Sequence, residues 1–192
     1  YVLLGNHDGN LRNLGRQDAI SPIINALNLT NLVLLKDTKS IEIEDNVHIH
    51  AYSCFDTKAW KKIKPINNDI NIALFHGSVG NAITDTGFML EPDVDITFFN
   101  GHDYVLLGDI HKHQFLTSDK RIAYPGSPIP QNYSEIDPKG FLFWEIENKE
   151  TFNVTFHELK KSYPFVTLGW CGSVSETLEK ATNYKNGSRF RI

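Results

Sequence analysis

The chain has 192 residues, of which 41% are hydrophobic and 22% charged, and its formal net charge is −4 with the eight histidines neutral. Those figures suit one folded domain, or one plus part of another, and exclude a disordered or collagen-like chain. No apolar run approaches membrane-spanning length, no signal-peptide pattern is visible, and the acidic balance advertises no general nucleic-acid surface.

In chain order, Tyr1–Leu4 reads as a strand, and Gly5-Asn6-His7-Asp8 as the turn leaving it. Asn6 offers a carbonyl oxygen and His7 an imidazole, with Asp8 able to orient that ring through a hydrogen bond; an ordinary Asn/Asp turn explains the same residues. Apolar spacing at Ile20, Ile23, Ile24 and Leu27 predicts a helix over 19–29, with Ser21-Pro22 as its cap and first position. Leu32–Leu35, Ile41–Ile43 and Val47–Tyr52 follow as strands, the last two joined by a tight turn at Asp45-Asn46. His48 and His50 share one side of their strand and are expected to face solvent. A basic helix over 57–63 carries Lys58, Lys61 and Lys62, with Lys64 following; it reads as a solvated face, or as a contact for substrate phosphate.

Ile70–Phe75 is a core strand ended by His76-Gly77, and Ser78–Thr86 a polar loop at the rim. Tyr104–Gly108 is the next apolar strand closed by glycine, and Asp109, His111 and His113 follow it at alternating positions. His102 and Asp103, just before that strand, are expected to stay outside the ligand set. The pattern of apolar strand followed at once by ligand occurs three times: VLLGNHD at Val2–Asp8, IALFHG at Ile72–Gly77, and YVLLGDIHKHQ at Tyr104–Gln114. In open α/β sheets, reactive groups sit just past the carboxyl ends of strands. Carboxylate with imidazole is the ligand set of Mn, Fe or Zn, and two such ions can activate a water and clamp a phosphate. His7, beside a ligand, is placed to protonate a leaving oxygen.

Arg121–Tyr124 reads as a strand and Pro125-Gly126-Ser127-Pro128 as a turn whose N–H groups can face a phosphate, although a tight turn needs the same residues for steric reasons. Gly140–Ile146 and Phe152–Leu159 alternate as a hairpin, with Trp144 and Phe156 serving the sheet core. A β-α-β tail follows: a strand at Pro164–Leu168, a helix over 173–184, and a strand at Arg189–Ile192. The two cysteines, Cys54 and Cys171, lack CxxC spacing and form no disulfide framework, which predicts a reducing, cytoplasmic setting. The chain enters a buried-type strand within a residue of Tyr1 and stops inside SRFRI, so it reads as a fragment.

At these residues the sequence resembles the calcineurin-like metallophosphoesterase superfamily, whose signature blocks run D-x-H, GD, GNHD, a strand-end His, and G-[HD]-x-H. The third block is Gly5–Asp8, the fourth His76, and the fifth Gly108–His111. The stretches YVLLGDIHKHQ, IAYPGSPIPQNYSE and GFLFWEI are similar to SbcD-type nuclease subunits, a group that includes phage recombination nucleases and the catalytic subunit of double-strand-break repair complexes.

The resemblance implies Asn6, His76, Asp109 and His111 as metal ligands, His7 as catalytic histidine with Asp8 as its orienter, and Gly126, Ser127 and Gln131 against the substrate. It implies an α/β sandwich of two mixed sheets flanked by helices over 1–158, then the start of a small α/β capping domain over 159–192. The implied cofactor is Mn²⁺, with Mg²⁺, Fe²⁺ or Zn²⁺ as substitutes, bound as a pair in the full-length protein. The implied partners are DNA, an SbcC-like ATPase and a second copy, with no membrane, in a phage or prokaryotic cell. Asp109 stands where many relatives have His, which shifts the site toward harder oxygen ligation. The D-x-H and GD blocks are absent, so the chain alone is expected to bind at most one metal well and to be inactive or feeble. A small-substrate phosphatase or phosphodiesterase on the same scaffold, or a non-catalytic DNA- or ATPase-binding module, are the alternative readings.

Overall fold

In the computed structural model, the described residues are 1–135, 137–160 and 164–192. The strands in chain order are β1 (Val2–Leu3), β2 (Leu34–Leu35), β3 (Lys39–Glu44), β4 (Val47–Tyr52), β5 (Ile70–His76), β6 (Tyr104–Gly108), β7 (Gln114–Phe115), β8 (Ile122–Tyr124), β9 (Gly140–Ile146), β10 (Phe152–Glu158), β11 (Phe165–Thr167) and β12 (Arg189–Arg191). Two α-helices, α1 (Ser21–Leu27) and α2 (Val174–Ala181), accompany them. No helix among the described residues is long and apolar enough to cross a membrane.

Six strands form one mixed sheet in the order β3-β4-β5-β6-β8-β7. β4, β5, β6 and β8 run parallel, and β3 and β7 close the two edges antiparallel. The parallel run explains the near-continuous apolar sequences of β5 and β6, because such strands are covered on both faces. On one face Ala73, Phe75, Val105 and Leu107 pack with Tyr52, Phe99, Ile110 and Tyr124. On the other, Ile49, Ala51 and Leu74 pack with Leu35 and with Leu3 of β1.

Among the described residues the six-stranded sheet is accompanied by separate two-stranded ribbons, an arrangement consistent with the expected sandwich. β1 pairs with β2 in parallel and β9 with β10 antiparallel. The hairpin reaches the large sheet through Tyr104, whose ring meets Trp144 and Phe152 and whose hydroxyl donates to the Asn148 carbonyl at 2.7 Å. Phe156 instead stacks on His113, with ring centroids 4.3 Å apart. Between the ribbons lies an apolar cavity of about 340 Å³ lined by Leu3, Leu74, Leu106, Leu142 and Trp144.

Local chemistry trims the expected elements. α1 begins at Ser21, with Pro22 within its first turn, because the Asp18 carboxylate accepts from Ile20 N and Ser21 N and fixes the entry. It ends at Asn28, left-handed at φ 46°, the usual helix stop. The basic segment Thr57–Lys62 is a 3₁₀ helix, its lysines exposed. In the tail, β11 and β12 pair in parallel around α2, and the Tyr133 hydroxyl holds β12 through the Phe190 carbonyl at 3.0 Å.

One expectation is reversed. His48 and His50 do lie on one side of β4, with ring centroids 6.3 Å apart, but they are buried. β4 is an interior strand, so both of its faces are covered and alternation cannot mark a wet one. His48 Nε2 pairs with Asp69 at 2.8 Å, and His50 bonds Asn71 and Ser40, each at 2.8 Å. His102 meets His50 edge-on at 5.1 Å and bonds the Tyr52 hydroxyl, well apart from the ligand candidates.

Candidate functional site

The carboxyl ends of β1, β5, β6 and β8 come together along one rim, and the turns that leave them carry the candidate residues. Asn6, His76 and Asp109 arrive from three different strands. Asn6 Nδ2 donates to Asp109 Oδ1 at 3.2 Å, and the same oxygen lies 3.5 Å from His76 Nε2. The His76 imidazole beside Asp109 holds its carboxyl below the usual carboxylate range.

Glycine makes this convergence possible. A Cβ on Gly5 would meet the His76 ring at 2.6 Å, and one on Gly108 would meet His76 Nδ1 at 2.9 Å, so the imidazole lies between two bare backbones. Asp109 itself takes φ 97°, an uncommon conformation for a residue with a side chain, of the kind held at functional sites by surrounding contacts.

Asp8 closes its own turn, accepting from Gly5 N through Oδ2 at 2.7 Å. The turn so fixed carries His7 into a cavity of about 370 Å³ that it shares with Asp85, Asp109, His111, Gln131 and Glu135. A neighbouring cavity of about 360 Å³ is lined by Asn6, His76, Asp109, His111, Ser127 and Gln131. His111 Nδ1 lies 3.0 Å from Glu135 Oε1, and because an ionised carboxylate only accepts, the proton between them belongs to Nδ1.

The turn after β8 is largely occupied within the protein. Ser127 N donates to the His111 carbonyl at 3.1 Å, Ser127 Oγ donates to Glu135, and Gln131 N donates to Glu135 at 3.1 Å. Gly126 takes φ 79° with the main chain of His111 and His113 directly against it. Gln131 lines both cavities.

Glu135, Lys139 and Asp85 are the participants that sequence reasoning missed. Lys139 Nζ pairs with Glu135 at 3.0 Å and Asp85 at 3.0 Å and donates to the His111 carbonyl at 2.8 Å. Burial pushes the Glu135 carboxyl up, but its bonds from His111, Gln131 and Lys139 outweigh that and hold it below the usual range. The only signal in the sequence was a Glu and a Lys four apart in SEIDPKG, a spacing that surface helices also use.

The donors fit a divalent ion of borderline hardness. Asn6 Oδ1 is buried without a hydrogen-bond partner, an arrangement that costs free energy unless something else meets the oxygen. Imidazole, carboxylate and amide oxygen from His76, Asp109 and Asn6 are a mixed set suited to Mn²⁺ or a neighbour. Among the described residues no three His, Cys, Asp or Glu side chains converge closely enough to hold an ion by themselves, so an ion held here would need the amide as its third donor.

No family model matches the chain. It is 37% identical over 180 residues to an uncharacterized protein of Acanthamoeba polyphaga mimivirus, across 87% of this chain and 13% of that protein. It is 35% identical over 130 residues to the SbcD polypeptide of the SbcCD nuclease from Staphylococcus epidermidis, across 65% of this chain and 34% of that one. It is 33% identical over 133 residues to the DNA double-strand break repair protein Mre11 of Methanopyrus kandleri, across 65% and 27%. The chain thus spans about a third or less of the length of the curated relatives it matches. Two of these relatives carry nuclease and break-repair names.

Proposed function

We infer that the chain is the core of a metal-dependent DNA nuclease subunit of the SbcD type, a hydrolase of phosphodiester bonds. The observation that carries this reading is the meeting of Asn6, His76 and Asp109 from three strand ends, with Asn6 Oδ1 buried and unpartnered. Asn6, His76 and Asp109 would hold one divalent ion, Mn²⁺ by preference, and His111 Nε2 would face a second. Divalent ions held by these residues would supply Lewis acidity toward the phosphodiester and lower the pKa of a bound water.

The chain's own residues supply the rest. His7, on a turn stiffened by Asp8, gives a proton to the leaving oxygen. Gln131 lines the approach and orients the phosphate, and Gly126 and Ser127 set the wall behind it. The tail around α2 would begin a capping unit from residue 159, anchored to the core through Tyr133. The relatives' names support DNA as substrate and work alongside an SbcC-like ATPase. Exposed Leu11, Leu14, Ile23 and Leu27 around α1 support association with a second copy.

Mn²⁺ titration of the chain by calorimetry tests the reading. One site that disappears in Asn6→Ala and His76→Ala is the expected result. Absence of binding, or binding untouched by both variants, would sink it. In the full-length protein, His7→Ala should keep Mn²⁺ affinity while losing DNA cleavage, and retained cleavage would remove His7 from the chemistry.

A further inference from the structure

The most heavily buried charges near the rim are not themselves candidate ligands. The side chains of Glu135 and Lys139 are 2% and 1% exposed, and that of Asp85 is 10% exposed. Taking such ions out of water costs several kcal/mol each unless every lone pair and proton is met. Here each is met. Glu135 Oε1 accepts from His111 Nδ1 and Asn132 Nδ2, and Oε2 takes Lys139 Nζ, Ser127 Oγ and Gln131 N. Lys139 spends its three protons on Glu135, Asp85 and the His111 carbonyl. One buried cluster therefore grips both the ring and the main chain of His111, and through Asp85 it also ties down the 84–86 stretch that lines the same cavity.

We propose that Glu135 is the positioning residue of His111, fixing its imidazole as the Nδ1–H tautomer so that Nε2 faces the cavity it shares with His7 and Asp109. Lys139 holds Glu135 in place, and the linkage through Asp85 makes the rim loop part of the same device. A carboxylate on the far nitrogen of a metal-binding imidazole sets both ring orientation and donor strength. A buried ion pair that served stability alone would not need to touch an imidazole half-open to solvent, since apolar residues of similar volume stabilise as well or better. The inference rests on the reading of His111 as a metal-facing ligand.

Long-range ¹H–¹⁵N spectra of the chain near neutral pH test the tautomer without any metal. Free imidazole favours the opposite, Nε2–H form, so a dominant Nδ1–H signal from His111 is the expected result and a dominant Nε2–H signal overturns the proposal. Glu135→Gln should mix the tautomers, whereas Asp85→Asn, which loosens Lys139 without touching the imidazole, should leave the Nδ1–H form dominant. In the full-length protein, affinity for the second Mn²⁺ should fall roughly 10- to 100-fold in Glu135→Gln. A Glu135→Gln variant that keeps the Nδ1–H tautomer of the parent overturns the proposal. A locked tautomer in a full-length protein that binds no second Mn²⁺ upholds the orienting role of Glu135 and removes the ligand reading of His111.

Discussion

A methyl carbon on Gly5 would stand 2.6 Å from Cε1 and 2.7 Å from Nε2 of His76, so the imidazole rests on the bare backbone of the β1 turn. Gly5→Ala should push His76 out of reach of Asp109 and overpack the site, at about 1–3 kcal/mol of stability. Thermal unfolding and Mn²⁺ calorimetry check it together. A stable variant with parental affinity would show that His76 has room to move.

Tyr124 sits at the centre of the rim, where its hydroxyl donates to the Gly77 carbonyl at 2.7 Å and accepts from Val79 N at 3.0 Å. It locks the chain as it leaves His76. Tyr124→Phe leaves both backbone groups buried and unpaired, which should cost about 1–3 kcal/mol in denaturant unfolding and broaden the His76 resonances.

Gly126→Ala meets two obstacles at once. The residue holds φ 79°, and its Cβ would stand 2.8 Å from the His111 carbonyl oxygen and 2.9 Å from His113 N, backbone atoms that cannot rotate aside. The expected loss is about 2–4 kcal/mol, with the 111–113 turn displaced. Urea unfolding gives the first quantity and the His111 chemical shifts the second.

Acid should weaken the fold through the buried histidines before it reaches the carboxylates. Burial pushes His102 down to about 4, and burial likewise lowers His50. A histidine whose native pKa lies below its unfolded value of about 6.5 leaves the unfolded chain holding more protons between the two. Stability is therefore whole above pH about 6.5 and drains as pH falls toward 4. For His102 the loss is on the order of 2 kcal/mol after allowing for its partial exposure. The depressed carboxyls of Asp109 and Glu135 add their loss below the ordinary carboxylate range. Urea midpoints from pH 7.5 to 5 should slope for the parent and flatten for His102→Asn; parallel slopes would clear His102.

The convergence of the strand-end residues was legible because parallel strands bring the turns at their carboxyl ends to one rim, and Asn6, His76 and Asp109 do meet there. The alternation of β9 and β10 likewise marked a hairpin, found at Gly140–Ile146 and Phe152–Glu158. His48 and His50 misled because alternation tells which residues share a side and not whether that side is covered. Glu135, Lys139 and Asp85 were silent for a different reason. They lie in irregular segments, Asp85 and Lys139 being 54 residues apart, and acquire meaning only when folding removes water from around them. How the ribbons sit against the large sheet was not legible, because such pairing is a long-range relation that local pattern does not encode.

The ribbons β1–β2 and β9–β10 each keep a strand edge unpaired among the described residues, on either side of an apolar cavity floored by Leu74 and Leu106. Open N–H and C=O groups beside exposed grease are a template for any passing strand. A formal charge of −4 gives only modest repulsion between copies. The colloidal limit of the chain is thus set by its geometry: crowding will drive edge-to-edge sticking of intact molecules, at temperatures where every one of them is still folded.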